Sequence, residues 1–565
     1  MHDLVITGGT VVDGTGSPSF TADIAIDGDR ITQVGPAVGA ARRRIDATGA
    51  TITPGFVDVH THYDGQATWE DCLVPSAWHG VTTVIMGNCG VGFAPVRRAD
   101  RDLLIELMEG VEDIPGAALH EGLQWNWESF PDYLDALDRR PHDIDIGAQV
   151  PHGALRLYVM GQRGAGRHAA TPDEIVQMGR LAREAVQAGA LGFTTSRTRN
   201  HRTSRGEYTP TLEAAADELA GIAAEMGGGV LEVVSDFADL AAELQTVLGM
   251  AEASGLPLSI SVAQADQRPA QWRELMSAIS AANTRGLNVT AQVAARPVGV
   301  LLGLQATISP LGASASARTI SELPFDARLA QLRRREVRDA VIAELEVARH
   351  RFAFDRMFLL GGPPDYEPAP DSSVAAMAAR AGMSAAEMTY DLALADDGRA
   401  LLYVPFLNFS DGTLNAAREM LVHPHSVVGL GDGGAHVGTI CDGSFPTTML
   451  THWVRDRNGP RIALEDVVAK QTSRTAAMIG LLDRGVLAPG MRADLNVIDL
   501  DELTLHRPEL AFDLPAGGKR FLQRADGYLH TIVAGHETYA SGQHTGALPG
   551  RLVRGGRPNP NGATS

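Results

Sequence analysis

Pro54-Gly55-Phe56-Val57-Asp58-Val59-His60-Thr61-His62 is the stretch on which the reading of the fold turns. Gly55 to Val59 reads as a short apolar strand entered through a Pro-Gly pair, and residues i and i+2 of a strand project to one face. His60 and His62 therefore share a face. At the C-terminal end of a strand in a parallel barrel, that face looks into the mouth where active sites lie. Two imidazoles there suit one metal ion, although a bare His-x-His also fits two hydrogen-bonded polar residues at a strand end.

Outward from this strand, apolar strand-like runs alternate with helical stretches, the pattern of a parallel sheet or barrel. The runs are Gly55 to Val59, Thr82 to Met86, Ile144 to Val150, Ala190 to Thr194, Val230 to Val234, Pro257 to Val262, Leu287 to Val293 and Val427 to Leu430. Eight such runs predict an α/β protein with a TIM-type (β/α)8 barrel. Residues 296–424, rich in Ala and Arg, predict a helical insertion between strands seven and eight that caps the barrel mouth. Hairpin chemistry before residue 54 (Gly8-Gly9, Asp27-Gly28-Asp29) and strand-like runs at Ala493 to Leu500 and Tyr528 to Ala534 predict a small β-sandwich built from both termini. The expected units are 1–53, 54–485 and 486–565, with a frayed tail over the last dozen residues.

With 565 residues, 44% hydrophobic residues and only three cysteines (Cys72, Cys89, Cys441), the chain is neither disordered, collagen-like nor a disulfide scaffold. A net charge of −20 repels polyanions, which argues against nucleic acid and anionic membrane surfaces as partners. The opening residues read as a strand rather than a signal peptide, and no apolar run reaches the roughly 18 residues of a membrane span. A cytoplasmic enzyme is the expectation, with a homo-oligomer through the insertion left open.

Other residues at strand ends carry chemistry. Cys89, in Gly87-Asn88-Cys89-Gly90 after strand two, is either a thiolate ligand or a buried inert thiol. Asp432, in Gly429-Leu430-Gly431-Asp432-Gly433-Gly434-Ala435-His436 after strand eight, is either a ligand and proton acceptor or a helix cap. His152 follows strand three as a ligand or hydrogen-bond donor. Arg197, Arg199 and His201 form a basic segment after strand four, and Arg296 follows strand seven. These guanidinium groups are candidates for binding a substrate carboxylate bidentately, against the alternative of a solvated, acid-paired loop.

Taken together, Asp3 to Gly9, Val11 to Gly16, Pro54 to His62, Gly87 to Gly90, Asp432, Ala493-Asp494-Leu495, Asp513 to Arg520 and Gly546 to Arg551 resemble the amidohydrolase superfamily. Within it, the chain is similar to the N-acyl-D-amino-acid deacylase (D-aminoacylase) family over nearly its whole length. The resemblance implies a metal-dependent hydrolase of a non-peptide C–N amide bond, acting on a small amide substrate that carries a carboxylate. In that scheme His60 and His62 bind zinc, Cys89 binds or bridges, and Asp432 serves as ligand and general acid/base. The family also places histidine ligands at the ends of strands five and six, whereas these strands read Val230-Leu231-Glu232-Val233-Val234-Ser235-Asp236 and Ser259-Ile260-Ser261-Val262-Ala263-Gln264. One zinc is therefore favoured over two, with Glu232 and His201 as candidate replacements. Lysine occurs only at Lys470 and Lys519, so no carboxylated lysine stands at strand four. That counts against the alternative of a cyclic amide hydrolase of the hydantoinase or imidase kind. The second alternative is a metal-free binding or regulatory barrel.

Overall fold

Short runs of apolar and β-branched residues form the barrel strands because such side chains fit a pleated surface covered on both sides. In the computed structural model, which describes residues 1–562, these strands are β1 (Phe56–Asp58), β2 (Val81–Met86), β3 (Asp145–Ala148, resuming at Val150–Pro151), β4 (Gly192–Arg197), β5 (Val230–Ser235), β6 (Leu258–Ser261), β7 (Val289–Val293) and β8 (Ser426–Val428). All eight match the runs read from sequence. Pairing is parallel throughout, from β1 to β2, with a register shift between Phe56 and Val57, to β3 and from β3 through β4, β5, β6 and β7 to β8. At the break in β3, the Gln149 N–H donates to Met86 O (2.9 Å). The last strand meets the first through a parallel bridge between Thr61 and Gly433, in which the His62 N–H donates to Gly433 O (2.8 Å) and the Asp432 N–H to His60 O (3.0 Å). That seam places Asp432 beside both histidines of the first strand.

Helices between strands are closed by local chemistry. At Pro172–Ala188, for example, Thr171 and Glu174 form a reciprocal cap with Pro172 in the first turn, and Met178, Ala182 and Ala185 are buried. Both termini build the β-sandwich. Strand Thr51–Pro54 runs directly into β1 while pairing on one side with His2–Val11 and on the other with Leu495–Ile498. Its core gathers Leu4, Ile6, Ile24, Ile31, Ile52, Leu495, Val497 and Ile532.

The insertion after β7 carries helices, the longest Arg335–Val347, and also a three-stranded antiparallel sheet of Gly299–Leu302, Leu402–Pro405 and Phe358–Leu359. The purely helical expectation is corrected to that extent, because Val300-Leu301-Leu302 and Leu402-Tyr403-Val404 are short apolar runs that pair only across about a hundred residues of sequence. The insertion lies against the loop after β8: the Leu301 N–H donates to Thr439 O (2.7 Å) and the Thr307 N–H to Gly438 O (2.9 Å). The tail is docked rather than frayed over its described part. The Gly555 N–H donates to Gly189 O and the Arg557 N–H to Gly480 O, both at 2.8 Å, while residues 563–565 lie outside the described residues. Among the described residues, no helix is long and apolar enough to cross a membrane.

A buried ionic cluster ties barrel to sandwich. Arg484 reaches Asp145 (2.8 Å) and Asp483 (3.0 Å), and Arg492 reaches Asp145 (2.9 Å) and Asp494 (3.2 Å). Removing one member strands buried opposite charges, so Arg484→Leu is expected to cost about 3–5 kcal/mol of stability, measured by denaturant unfolding.

Candidate metal centre

The seam between β8 and β1 forces close backbone approach. A Cβ on Gly431 would lie 2.6 Å from Asp58 Oδ2, and one on Gly434, already at φ +88°, would lie 3.0 Å from the His62 carbonyl. Between these glycines Asp432 adopts φ 46°, and Cys89, in the turn after β2, adopts φ 55°. Non-glycine residues in this left-handed region carry strain and cluster at functional sites.

Strand ends bring the donors together. Asp432 Oδ1 lies 3.4 Å from His60 Nε2 and 3.6 Å from His62 Nε2, and Cys89 Sγ lies 3.3 Å from His60 Nε2. Donor atoms of His60, His62 and Cys89 all fall within 4.8 Å of one another, and all three residues are buried. Behind them, a second layer faces the other ring nitrogens. Gln292 Oε1, from β7, lies 2.8 Å from His60 Nδ1, and the Gln292 amide donates to Ser259 Oγ on β6 (2.8 Å). With its Nδ1–H donating to Gln292 Oε1, His60 keeps the Nε2 lone pair free. Glu112, at the end of helix α1 (Arg101–Glu112), sets Oε1 3.3 Å from His62 Nδ1 and Oε2 3.7 Å from His436 Nε2, and its carbonyl accepts from the His436 N–H. On β5, Glu232 Oε2 accepts from the Cys89 N–H (3.2 Å).

Burial dominates the electrostatics of every group here except Asp432. Burial pushes His60 down to about 4 and lowers His62, although Asp432 opposes both shifts. Burial pushes Glu232 up to about 8, Asp58 up to about 7, and Glu112 and the Cys89 thiol well above their ordinary ranges. For Asp432 burial also acts upward, but His62, His60 and His436 outweigh it and hold the carboxyl well below the usual carboxylate range. Neutral imidazoles beside acids that resist ionising together form a set whose balance a buried divalent cation reverses. Four atoms of three residues here are buried without a hydrogen-bond partner: His62 Nδ1, both carboxylate oxygens of Glu112, and Glu232 Oε1. The donor set fits a metal ion.

Of the residues singled out in the sequence, His60, His62, Cys89 and Asp432 converge. His201 is adjacent: its Nδ1 pairs with Ser196 Oγ (2.9 Å), and burial together with the nearby His436 and His62 drives it down to about 3. Three of the expected substrate contacts have their side chains engaged by partners within the protein. His152 has both ring nitrogens engaged, by Thr195 and Glu218 at 2.9 Å each, and Glu218 also holds Arg156. Arg197 is bonded to Glu243 and to Ala214 O. Arg296 is 1% exposed, donating to Asp442 (3.0 Å), Cys441 O (2.5 Å), Ser444 and Thr448, with the Tyr366 ring 3.6 Å away. Each takes partners distant in sequence. Arg199 stays exposed, with its backbone N–H on Asp236.

Comparison with known proteins completes the assignment. The model of the amidohydrolase family matches residues 43–539. The chain belongs to the amidohydrolase family. This amidohydrolase is 28% identical to the D-aminoacylase of Alcaligenes xylosoxydans xylosoxydans, covering 98% of this chain and 97% of that one. It is 29% identical to the N-acyl-D-glutamate deacylase of the same organism, covering 98% and 96%. Among solved structures, a D-aminoacylase described as having a binuclear metal centre superposes with a TM-score of 0.65 at 26% identity, covering 98% of this chain and 100% of that one. The N-acyl-D-glutamate deacylase of Bordetella bronchiseptica, complexed with zinc and a phosphonate mimic of the tetrahedral intermediate, gives 0.61 at 25%, covering 98% and 99%. The protein is a metal-dependent amidohydrolase acting on C–N bonds other than peptide bonds.

Proposed function

We propose that this amidohydrolase removes the acyl group from an N-acyl-D-amino acid, with one zinc held by His60, His62 and Cys89 and with Asp432 beside it. The observation that carries this reading is the convergence of both histidine Nε2 atoms on Asp432 next to Cys89. Deacylases of D-amino acids as relatives over 98% of the chain support the substrate class. When bound, zinc polarises the scissile carbonyl and lowers the pKa of water toward neutrality. Asp432, kept ionised by the surrounding imidazoles, accepts a proton from the attacking water and delivers it to the departing nitrogen as the C–N bond breaks. The products are a free acid and a D-amino acid. Gln292 accepts from the His60 imidazole, and the Glu112 carboxylate lies behind His62. Cyclic amide hydrolysis is the weaker alternative, since β4 reads Gly-Phe-Thr-Thr-Ser-Arg without lysine.

The test is a panel of N-acetyl-D- and N-acetyl-L-amino acids and hydantoins given to zinc-loaded enzyme, with amine release followed. Release from D-configured substrates is expected; hydantoin opening with no deacylation would overturn the reading. Glu112→Gln removes the carboxylate behind His62 while keeping its shape. It is expected to weaken zinc affinity by about 10–100-fold, measured by chelator competition, as loss of an outer partner of a metal-binding histidine does.

A further inference from the structure

Glu232 stands out among the buried groups of the barrel that the proposed reaction leaves without a task. It is 1% exposed, and its Oε1 has no hydrogen-bond partner. Among the described residues, no arginine, lysine or histidine forms an ion pair with it. Residues in register on the flanking strands are committed elsewhere: Thr194 of β4 bonds Gly87 O and the Gly90 N–H, and Ser259 of β6 bonds Gln292. Its other oxygen accepts from the Cys89 N–H at 3.2 Å, which brings the carboxylate against the residue whose thiol lies 3.3 Å from His60 Nε2. Without a cation such a buried carboxyl is kept protonated, and a cation beside it is what would let the free oxygen carry charge.

We propose that the Glu232 carboxylate is itself a metal ligand, sharing a cation with Cys89 at the β5 side of the centre. This rests on the metal-dependent reading above and adds a donor from a strand that carries no histidine. Sulfur, imidazole nitrogen and carboxylate oxygen are all accepted by zinc, so the enlarged set remains a zinc set.

A lesser role is open to Glu232, that of merely accepting from the Cys89 N–H to hold its turn. Two variants of the full chain separate the roles, each measured for zinc per folded protein and for zinc affinity by chelator competition. Glu232→Gln keeps an acceptor oxygen for the Cys89 N–H but loses the anionic ligand. Glu232→His offers a nitrogen ligand but no carboxylate for that N–H. The ligand role predicts that Glu232→Gln weakens zinc binding by more than about 100-fold and that Glu232→His recovers most of it. The turn-holding role predicts the reverse order, and Glu232→Gln binding zinc as tightly as wild type would overturn the proposal. If Glu232→Gln does not fold, the outcome rests on Glu232→His: a folded variant that holds zinc supports the ligand role, and a folded variant without zinc overturns it. Wild-type protein without metal would overturn the zinc reading as a whole, which is a different failure.

Discussion

Asp432→Asn is expected to lower kcat for an N-acyl-D-amino acid by about 10²–10⁴-fold, the range that a positioned proton carrier contributes. At 1.36 kcal/mol per decade, this corresponds to about 3–5 kcal/mol of transition-state stabilisation. The substitution keeps shape and burial and removes only the carboxylate that faces His60 Nε2 at 3.4 Å and His62 Nε2 at 3.6 Å. An asparagine cannot take a proton from water, so the loss falls on kcat. The backbone bond from the Asp432 N–H to His60 O is untouched, and with it the β8–β1 seam. A full kinetic comparison of folded, zinc-loaded variant and wild type checks this. Wild-type turnover in the variant would remove Asp432 from the reaction.

His60→Ala is expected to abolish zinc binding and turnover together. His60 is the hub of the donor set, within 3.4 Å of both Asp432 and Cys89, and its Nδ1 is held by Gln292. Because a metal bound only by the native state stabilises it, wild type at free zinc about 100 times its Kd gains about 2.7 kcal/mol, and the variant gains nothing. Thermal unfolding with and without chelator reads the difference. Equal zinc-dependent stabilisation of variant and wild type would place the metal elsewhere.

The barrel was legible because each of its strands is a short apolar run closed by local punctuation, and because strand ends in this architecture all open onto one mouth. By that rule His60, His62, Cys89 and Asp432 are candidates, each standing just beyond a strand, and the family resemblance is what implied their roles. Glu112 was not legible. It closes a helix, and only the path of the chain after β2 brings it behind His62. Gln292 reads as an ordinary strand residue until the register of β6 and β7 sets it between Ser259 and His60. The partners of Arg296 and His152 were hidden for the same reason. Both residues stand beside a strand end, and Asp442 and Glu218, which they bond, lie 146 and 66 residues away in sequence. Glu232 could be named but not aimed, since alternation fixes a face only once the inward side of β5 is known.

Elemental mass spectrometry of purified wild-type protein, grown with ample zinc, tests the central claim most directly. The account predicts about one zinc per chain, removable by chelator with loss of activity and restored by zinc. Protein that hydrolyses its substrate while carrying no metal would contradict it.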